Sequence, residues 1–428
     1  MIKKIKSVAI IGSGTMGAGI AALAADKGFK VLLLDISLEA VNKGKEKISG
    51  DRNPMLSVPE NIKNIEIGTF ENDFEKISDY DWICEAVVEN TDIKRKIFLD
   101  IEKYRSEGSI ISSNTSGIPL KDITKDMPER LLEDICITHF FNPVKVMKLC
   151  ELIPSTHTKP ENLSSISNFL TNEMNKGVVN AKDTVNFIGN RIGCFFMLKG
   201  LYEGLNARSS GLHIEELDNI VSKPFGIPPT GLYGLIDLIG LDVMDSVGKN
   251  LKQNLPENDI GLNFVSLPEA ETNLLQNGQL GRKSGGGFYR IKKVNENKVK
   301  EVYDLEKKVW RDFIKPISSY NLDILFENSL EGNYAWSVIG STLLYAADLI
   351  PEISEDIVNV DKAMKWGFAW QKGPFEMLDD LGPKKIIDAC DNRNIRLPRM
   401  LAVLKESGSQ TFYANNKFLT YKGNYQNL

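Results

Sequence analysis

The first part of the chain alternates short apolar runs with stretches of helical periodicity. Residues 7–11, 31–34 and 82–88 are almost wholly apolar, as in strands buried on both faces of a sheet. Residues 18–28 and 93–104, which follow two of these runs, have the spacing of helices. We predict further strands at residues 65–67, 109–113, 135–140, 149–153 and 178–181. The alternation predicts an α/β fold with a doubly wound, mainly parallel sheet and ligands at the carboxyl ends of its strands.

The second part of the chain contains an internal repeat. Residues 231–240 and 373–382 both begin and end with glycine, and both carry an aspartate at the same position, Asp237 in one and Asp379 in the other. Each segment follows a helical stretch with an acidic start. This similarity predicts two repeated all-α domains after the sheet. The domain boundaries that we predict are 1–184, 185–291 and 331–428, with a charged connector at 292–330.

The composition limits the class of protein. At 428 residues the chain has room for two or three domains, and 42% hydrophobic with 25% charged residues is ordinary for a soluble globular protein. A net charge of −5 gives no reason to expect nucleic acid or an anionic membrane as a partner. The first residues enter a strand pattern directly, so we expect no signal peptide, and no apolar run nears the roughly 18 residues of a membrane span. Five scattered cysteines without a Cys-x-x-Cys pair argue against disulfides and a zinc site. We therefore expect a cytoplasmic protein without a metal.

A glycine-rich turn lies between the first predicted strand and the first predicted helix. Its glycines are Gly12, Gly14 and Gly17. In a dinucleotide-binding turn, the first glycine permits the tight bend, the second lets the backbone approach a pyrophosphate, and the third lets the helix pack closely on the strand. The start of the helix presents free N–H groups to the phosphates, and Thr15 and Met16, which lead into it, are candidate cofactor-binding residues. The order of strand, turn and helix predicts a Rossmann-type dinucleotide site.

Asp35 ends the second predicted strand, eighteen residues beyond Gly17. A carboxylate at this place accepts hydrogen bonds from the adenine ribose hydroxyls. No arginine follows in residues 36–38, so a 2′-phosphate would meet an uncompensated negative charge. We therefore predict NAD rather than NADP as the cofactor.

His139 is one of three histidines in the chain, and it stands between an apolar run and two aromatic residues. Beside a dinucleotide site, a neutral imidazole suits the general base that removes a hydroxyl proton while hydride leaves the same alcohol. Glu151 lies in the apolar run 149–153, where a carboxylate is costly unless it is paired, so it is the candidate partner. Glu89 and Ser116 also lie at or just past predicted strand ends, which favours a single cleft. The alternative is a buried structural histidine and a glutamate that serves only in a salt bridge or at the rim.

Several segments, in order along the chain, resemble the L-3-hydroxyacyl-CoA dehydrogenase family, and in particular the dehydrogenase portion of fused dehydrogenase/enoyl-CoA hydratase proteins. These segments are the glycine turn and residues 85–90, 113–116, 139–151, 183–191 and 281–289. The resemblance implies NAD-dependent, reversible oxidation of an L-3-hydroxyacyl-CoA to the 3-ketoacyl-CoA in fatty-acid β-oxidation. It also implies an acyl-CoA substrate, and it suggests a homodimer and association with an enoyl-CoA hydratase or a thiolase.

The resemblance assigns roles to individual residues. His139 is similar to the catalytic base of the family and Glu151 to its carboxylate partner. Ser116 and Asn190 match residues that hydrogen-bond the reacting oxygen and the acyl group. Contacts with the nicotinamide half of NAD are implied for Glu89, Lys94, Asn142 and Lys283.

The chain departs from the family pattern in two places. About thirty residues separate Asp35 from the next predicted strand, fewer than the single-function members use for a helical hairpin that contacts CoA. The shorter region carries four positive charges, Lys43, Lys45, Lys47 and Arg52. A solvated helix face explains these charges as well as contact with CoA does, so no CoA ligand is assigned. Val185 or Asn186 stands where the family has proline, and we expect this to change the turn rather than the chemistry.

Two other functions stay open at this point. The shortened region also suits a relative that acts on a non-CoA hydroxy acid. Comparing the turnover of acetoacetyl-CoA with that of free acetoacetate distinguishes this function from the oxidation of a hydroxyacyl-CoA. A catalytically idle NAD-binding relative with a structural role is the other alternative. The presence of all four candidate catalytic residues speaks against it.

Overall fold

The computed structural model describes residues 3–50, 54–295 and 297–428, so Arg52 lies outside the described residues. The chain forms two compact units, Met1–Ile188 and Gly189–Leu428, here called the N-terminal and the C-terminal unit. None of the helices in these described ranges is long and apolar enough to cross a lipid bilayer.

Eight strands of the N-terminal unit form one sheet. The strands are β1 (Ser7–Ile11), β2 (Lys30–Asp35), β3 (Ile65–Thr69), β4 (Trp82–Glu85), β5 (Ile110–Ser113), β6 (Ile135–Phe140), β7 (Leu149–Pro154) and β8 (Gly177–Asn180). The helices are α1 (Thr15–Asp26), α2 (Leu38–Ser49), α3 (Phe70–Asp73), α4 (Thr91–Tyr104), α5 (Leu120–Ile123), α6 (Glu129–Asp134) and α7 (Pro160–Asn168). The strand order is β3-β2-β1-β4-β5-β6-β7-β8, and all neighbours are parallel except β6 and β7. The predicted doubly wound, mainly parallel sheet is confirmed.

The strands in the middle of this sheet are buried along their whole length. Every residue of β1, β4, β5 and β6 is buried, as expected for apolar strands covered on both faces. Strand β4 ends at Glu85, earlier than the predicted residue 88. The N–H of Val87 turns to the Glu85 carboxylate, at 2.7 Å, instead of continuing the ladder. The chain after β4 is therefore a loop that carries Glu89 to the start of α4.

Strand β7 runs against the direction of β6. The connection, residues 141–148, is too short for a crossover to a parallel strand, which needs a dozen or more residues. In the resulting register, His139 stands directly opposite Glu151. Directly opposite residues of an antiparallel pair present their side chains on the same face of the sheet. The reversal of one strand therefore brings the two residues together.

The C-terminal unit is mostly helical. Its helices are α8 (Gly189–Ser209), α9 (Ile214–Val221), α10 (Gly231–Ile239), α11 (Leu241–Asn254), α12 (Glu269–Gln276), α13 (Leu330–Ala335), α14 (Ser341–Asp348), α15 (Ile357–Gly367), α16 (Pro374–Leu381), α17 (Pro383–Asn392) and α18 (Arg399–Glu406). Its strands are β9 (Tyr289–Val294), β10 (Asn297–Asp304), β11 (Val309–Asp312), β12 (Tyr413–Ala414), β13 (Lys417–Leu419) and β14 (Tyr425–Asn427). Strands β9 to β11 form an antiparallel sheet that begins at Tyr289 and lies mostly in the segment predicted as a charged connector, 292–330. Apolar residues such as Val302 are buried between its charged ones.

A buried aspartate of α9 ties α10 to β9. The Asp218 carboxylate accepts hydrogen bonds from the N–H groups of Tyr233 and Gly234, at 2.7 and 3.3 Å, and from the Tyr289 hydroxyl, at 2.7 Å. Asp237 of α10 in turn accepts from the N–H groups of Phe288 and Tyr289, at 2.8 and 2.7 Å. The two carboxylates thus link α9 and α10 to each other and to strand β9.

The same arrangement occurs again nearer the C-terminus. The Asp361 carboxylate accepts from the N–H groups of Phe375 and Glu376, at 2.8 and 3.3 Å, and from the Tyr413 hydroxyl, at 2.6 Å. Asp379 accepts from the N–H groups of Phe412 and Tyr413, the counterparts of Phe288 and Tyr289. We propose on this basis that the C-terminal unit contains two copies of one helical motif.

Candidate functional site

The glycine turn between β1 and α1 leaves open space at one glycine and none at the others. An added Cβ at Gly14 would meet no described atom within 4 Å, whereas one at Gly17 would lie 1.9 Å from the carbonyl oxygen of Gly12. Gly12 has a φ of +108°, which favours glycine. Among the described residues no side chain caps the start of α1, where Thr15 and Met16 lie. This geometry fits the pyrophosphate of a dinucleotide, which needs close approach of the backbone and free N–H groups.

Asp35, at the end of β2, is oriented by the same turn. Its Oδ2 accepts hydrogen bonds from the Ser13 N–H, at 2.6 Å, and from the Ser13 hydroxyl, at 2.5 Å, while its Oδ1 accepts from the Ile36 N–H, at 2.7 Å. Ile36 and Leu38, which follow, are 74% and 61% exposed. The carboxylate therefore stands beside the glycine turn and an exposed apolar surface, an arrangement that fits an adenine nucleoside.

Lys94 joins two glutamates at the start of α4. Its ammonium lies 2.8 Å from Glu85 Oε1 and 3.2 Å from Glu89 Oε2, and 1% of its side chain is exposed. Glu89 Oε1 also accepts from the Thr115 hydroxyl, at 2.6 Å, and from the Ser116 N–H, at 2.9 Å. Burial opposes the charge of Glu89, but the Lys94 charge and these hydrogen bonds outweigh it and lower its pKa. Three of the predicted site residues, Glu89, Lys94 and Ser116, thus belong to one charged network.

The candidate acid–base pair lies between β6 and β7. His139 Nδ1 is 2.6 Å from Glu151 Oε2, with 3% of the histidine and none of the glutamate side chain exposed. The second oxygen, Glu151 Oε1, accepts a hydrogen bond from the Ile188 N–H at 3.1 Å. Because a carboxylate can only accept, Nδ1 carries the hydrogen, and Nε2 of a neutral imidazole keeps its lone pair. The imidazole is thus arranged as a base with a buried anion behind it.

Two residues that support the site were not singled out from the sequence. Glu85 is fully buried, accepts the Ser113 hydroxyl at 2.5 Å, and pairs with Lys94. Asn114 accepts the N–H of Phe140 at 3.0 Å and so joins the loop of Ser116 to the strand of the histidine. The signal for Glu85 was available, because a carboxylate in an apolar strand needs a partner wherever it occurs.

The remaining predicted site residues are Asn142 in the N-terminal unit and Asn190 and Lys283 in the C-terminal unit. Asn142 follows the end of β6 by two residues. Asn190 is in the first turn of α8, in the C-terminal unit. Lys283, also in the C-terminal unit, is 44% exposed in its side chain and pairs with Asp242 at 2.5 Å.

Family models and known proteins match the chain over most of its length. The model described as "3-hydroxyacyl-CoA dehydrogenase, NAD binding domain" matches residues 7–184, and the one described as "3-hydroxyacyl-CoA dehydrogenase, C-terminal domain" matches residues 187–291. A Rickettsia felis protein named as a fatty acid oxidation complex trifunctional enzyme is 38% identical over 414 residues, which are 94% of this chain and 57% of that protein. A Bacillus subtilis protein named as a 3-hydroxyacyl-CoA dehydrogenase is 34% identical and covers 96% of this chain and 56% of its own length. The chain thus spans less than two thirds of the length of these relatives.

Solved structures share the fold. The 3-hydroxybutyryl-CoA dehydrogenase of Escherichia coli K12 aligns over 95% of this chain and 100% of its own, with a TM-score of 0.71 and 22% identity. The (S)-3-hydroxybutyryl-CoA dehydrogenase of Ralstonia eutropha aligns over 66% of this chain and 98% of its own, with a TM-score of 0.54 and 29% identity. The chain therefore belongs to the 3-hydroxyacyl-CoA dehydrogenase family, and its N-terminal unit holds the NAD-binding domain of that family.

Proposed function

We propose that the chain catalyses the NAD-dependent, reversible oxidation of an L-3-hydroxyacyl-CoA to the 3-ketoacyl-CoA. The observation that carries this proposal is the 2.6 Å contact between His139 Nδ1 and Glu151 Oε2 within the NAD-binding domain. Membership of the family supports the cofactor and the class of substrate. The pair supplies the proton transfer that the oxidation of an alcohol requires.

His139 acts as the general base in the direction of oxidation. Its Nε2 takes the proton of the 3-hydroxyl group. NAD, when bound, would supply the acceptor for the hydride that leaves C3. In the reverse direction the imidazolium returns its Nε2 proton to the keto oxygen. An imidazole, whose unperturbed pKa is about 6.5, can serve in both directions near neutral pH.

Glu151 makes this proton transfer easier without taking part in it. Its carboxylate fixes the tautomer of His139 and stabilises the imidazolium that forms, as the aspartate does in a Ser-His-Asp triad. The Ile188 N–H satisfies the second carboxylate oxygen. We assign the Ser116 hydroxyl and the Asn190 amide to the reacting oxygen and the acyl group.

The cofactor is assigned to the glycine turn and to the loops that follow the strands. The backbone at Gly12, Gly14 and Gly17 and the N–H groups of Thr15 and Met16 would hold the pyrophosphate, and Asp35 the adenine ribose. Contacts with the nicotinamide half are assigned to Glu89, Asn142 and Lys283. Because the ammonium of Lys94 lies between two carboxylates, we assign it the indirect part of fixing Glu89.

The names of the relatives support a place in fatty-acid β-oxidation. In that reaction order an enoyl-CoA hydratase forms the hydroxyacyl-CoA by adding water to a double bond, and a thiolase consumes the ketoacyl-CoA. We infer that this chain works between such activities. A homodimer and a cytoplasmic location stay predictions.

Purified protein, NADH and acetoacetyl-CoA test the proposal, with the loss of NADH absorbance as the measurement. We expect turnover with acetoacetyl-CoA and little or none with free acetoacetate at the same concentration. Equal rates with the free acid would favour a dehydrogenase of non-CoA hydroxy acids. No turnover under conditions in which NADH binds would favour the idle relative. A series of 3-ketoacyl-CoA chain lengths then defines the acyl preference.

Replacement of the base tests the mechanism. His139→Gln should lower kcat on the order of 10²–10⁴-fold and retain NADH binding, because the amide cannot take a proton near neutral pH. His157→Gln is the matched control. His157 is exposed, and among the described residues its Nδ1 has a hydrogen-bond contact only with the Thr156 hydroxyl. Equal kcat values for the two variants would remove His139 from the role of base.

A further inference from the structure

The segment between β8 and α8, residues 181–188, is anchored at both ends within the N-terminal unit. Near its start, the Asp183 carboxylate accepts hydrogen bonds from the N–H groups of Leu120 and Lys121, at 2.5 and 2.9 Å. At its end, the Ile188 N–H donates to Glu151 Oε1 at 3.1 Å. Because Glu151 is the partner of His139, the path of this segment bears directly on the acid–base pair.

Two consecutive residues of the segment have a left-handed backbone although neither is glycine. The φ of Asn186 is +60° and that of Phe187 is +52°, and both side chains are buried. This conformation costs about 1–2 kcal/mol for an L-residue, least for asparagine, and it is a genuine outlier for a bulky one. Such residues persist only where the surroundings impose them, and they cluster at functional sites. Here the turn directs the Ile188 N–H to Glu151.

The same turn brings an aromatic ring against the imidazole. The ring centroid of Phe187 lies 5.6 Å from that of His139, and the Phe141 centroid lies 4.6 Å away. Phe187 has no exposed surface, so its ring is fixed by its surroundings. Two neighbouring rings and the hydrogen bond of Nδ1 together leave the imidazole little freedom to rotate.

We propose that Asn186 and Phe187 are positioning residues for the His139–Glu151 pair. The left-handed turn at Asn186 holds the Glu151 carboxylate in place through the Ile188 N–H, and the Phe187 ring sets the plane of the imidazole. We assign neither residue a contact with the reacting atoms. This inference rests on the proposed function, since it assigns the two residues to the same proton transfer. A displacement of about 1 Å at such a site can cost on the order of 10²-fold in rate.

Three substitutions in the full chain test this inference. Asn186→Gly keeps a residue that adopts the left-handed conformation freely, whereas Asn186→Val introduces a β-branched residue that opposes it. Phe187→Leu keeps a buried apolar side chain and removes the ring. We expect Asn186→Val and Phe187→Leu to lower kcat for acetoacetyl-CoA by about 10- to 100-fold with the Kd of NADH unchanged. Asn186→Gly should have a kcat close to that of the wild type.

The matched control is Asn394→Val. Asn394 is exposed in the C-terminal unit and has a φ of +53°, so valine imposes the same kind of backbone cost in a unit that does not contain the pair. Its kcat should be unchanged even where the unfolding temperature falls. The proposal would be overturned if Asn186→Val and Phe187→Leu unfold at a lower temperature but keep the wild-type kcat per folded molecule, because their role would then be purely structural. Should the valine variant fail to fold, Phe187→Leu carries the test.

A spectroscopic measurement is independent of turnover. With nitrogen-15 in the histidine rings there are only three residues to observe, and His139→Gln identifies the relevant one. We expect His139 in the wild type to show the single tautomer with hydrogen on Nδ1, and Asn186→Val and Phe187→Leu to show mixed tautomers. Wild-type spectra in both variants would overturn the proposal. Mixed tautomers in a chain that turns over no 3-ketoacyl-CoA would instead refute the proposed function and leave the positioning intact.

Discussion

Glu151→Gln removes the negative charge behind the imidazole with almost no change of shape. Glu151 is fully buried, and its two oxygens face His139 Nδ1 at 2.6 Å and the Ile188 N–H at 3.1 Å. A glutamine carbonyl can still accept a hydrogen bond from one of these donors. What the substitution removes is the anion that faces the imidazolium formed when His139 takes the substrate proton.

The size of the effect follows from this geometry. With Nδ1 and Oε2 in hydrogen-bond contact, the centres of the two charged groups are about 4 Å apart, a separation worth about 4 kcal/mol at an effective dielectric constant of about 20. Each step of about 1.4 kcal/mol in the barrier changes the rate about tenfold. We therefore expect kcat for oxidation to fall by about 10²–10³-fold, with the Kd of NADH unchanged.

Initial rates of L-3-hydroxybutyryl-CoA oxidation give kcat, and fluorescence titration gives the Kd of NADH. Glu66→Gln is the matched control, because Glu66 is half exposed and pairs with Lys76 at 2.7 Å, an interaction worth little at the surface. Thermal unfolding of both variants shows whether the folded state is retained. A folded Glu151→Gln variant with the kcat of the control would refute the electrostatic role of Glu151.

Three further predictions concern binding and stability. Gly14→Ala should fold normally and bind NADH more weakly, as measured by fluorescence titration. Gly17→Ala should lose about 1–3 kcal/mol of unfolding free energy or more, as measured by urea unfolding, because its Cβ would overlap a carbonyl oxygen. Lys94→Met leaves the buried Glu85 carboxylate without its cation and should lower the unfolding free energy by about 3–5 kcal/mol. An unchanged unfolding temperature would contradict this prediction. Burial raises the pKa of Asp361 to about 8, so its contribution to stability is complete below the unfolded pKa of about 4 and is lost as pH rises through about 8. Urea unfolding across this pH range should show the loss in wild type and a flatter profile in Asp361→Asn.

Features that follow from local chemical type could be predicted from the sequence. The apolar runs predicted the parallel sheet, and the glycine turn with Asp35 predicted the cofactor of the family. Glu151 could be singled out because a carboxylate in an apolar strand requires a partner. The structure supplies that partner through the register of β6 and β7, which places His139 opposite Glu151.

Features that depend on contacts distant in sequence could not be predicted in this way. The burial of Lys94 depends on Glu85, whose carboxylate lies in a different element. The left-handed backbone at Phe187 runs against the preference of a bulky residue, so local propensity does not predict it, whereas asparagine at position 186 tolerates this conformation better than most residues. The sheet within the predicted connector depends on pairing between strands whose surface residues are mostly charged.

The hydrogen bonds between Ser13 and Asp35 constrain how the cofactor preference of this protein can evolve. If Asp35 binds the adenine ribose as proposed, acceptance of a 2′-phosphate requires loss of its charge. Asp35 is also the acceptor of the Ser13 N–H, and Ser13 is 3% exposed. A residue at position 35 without an acceptor oxygen would leave that buried N–H without a partner, at a cost of about 1–3 kcal/mol. The Ser13 hydroxyl would still have the Ala40 carbonyl oxygen, at 2.9 Å, so the backbone alone bears the loss. Asparagine removes the charge and keeps an oxygen that can accept from this N–H. A mutational path from NAD to NADP that preserves stability therefore keeps such an acceptor at position 35 or includes a second substitution in the glycine turn.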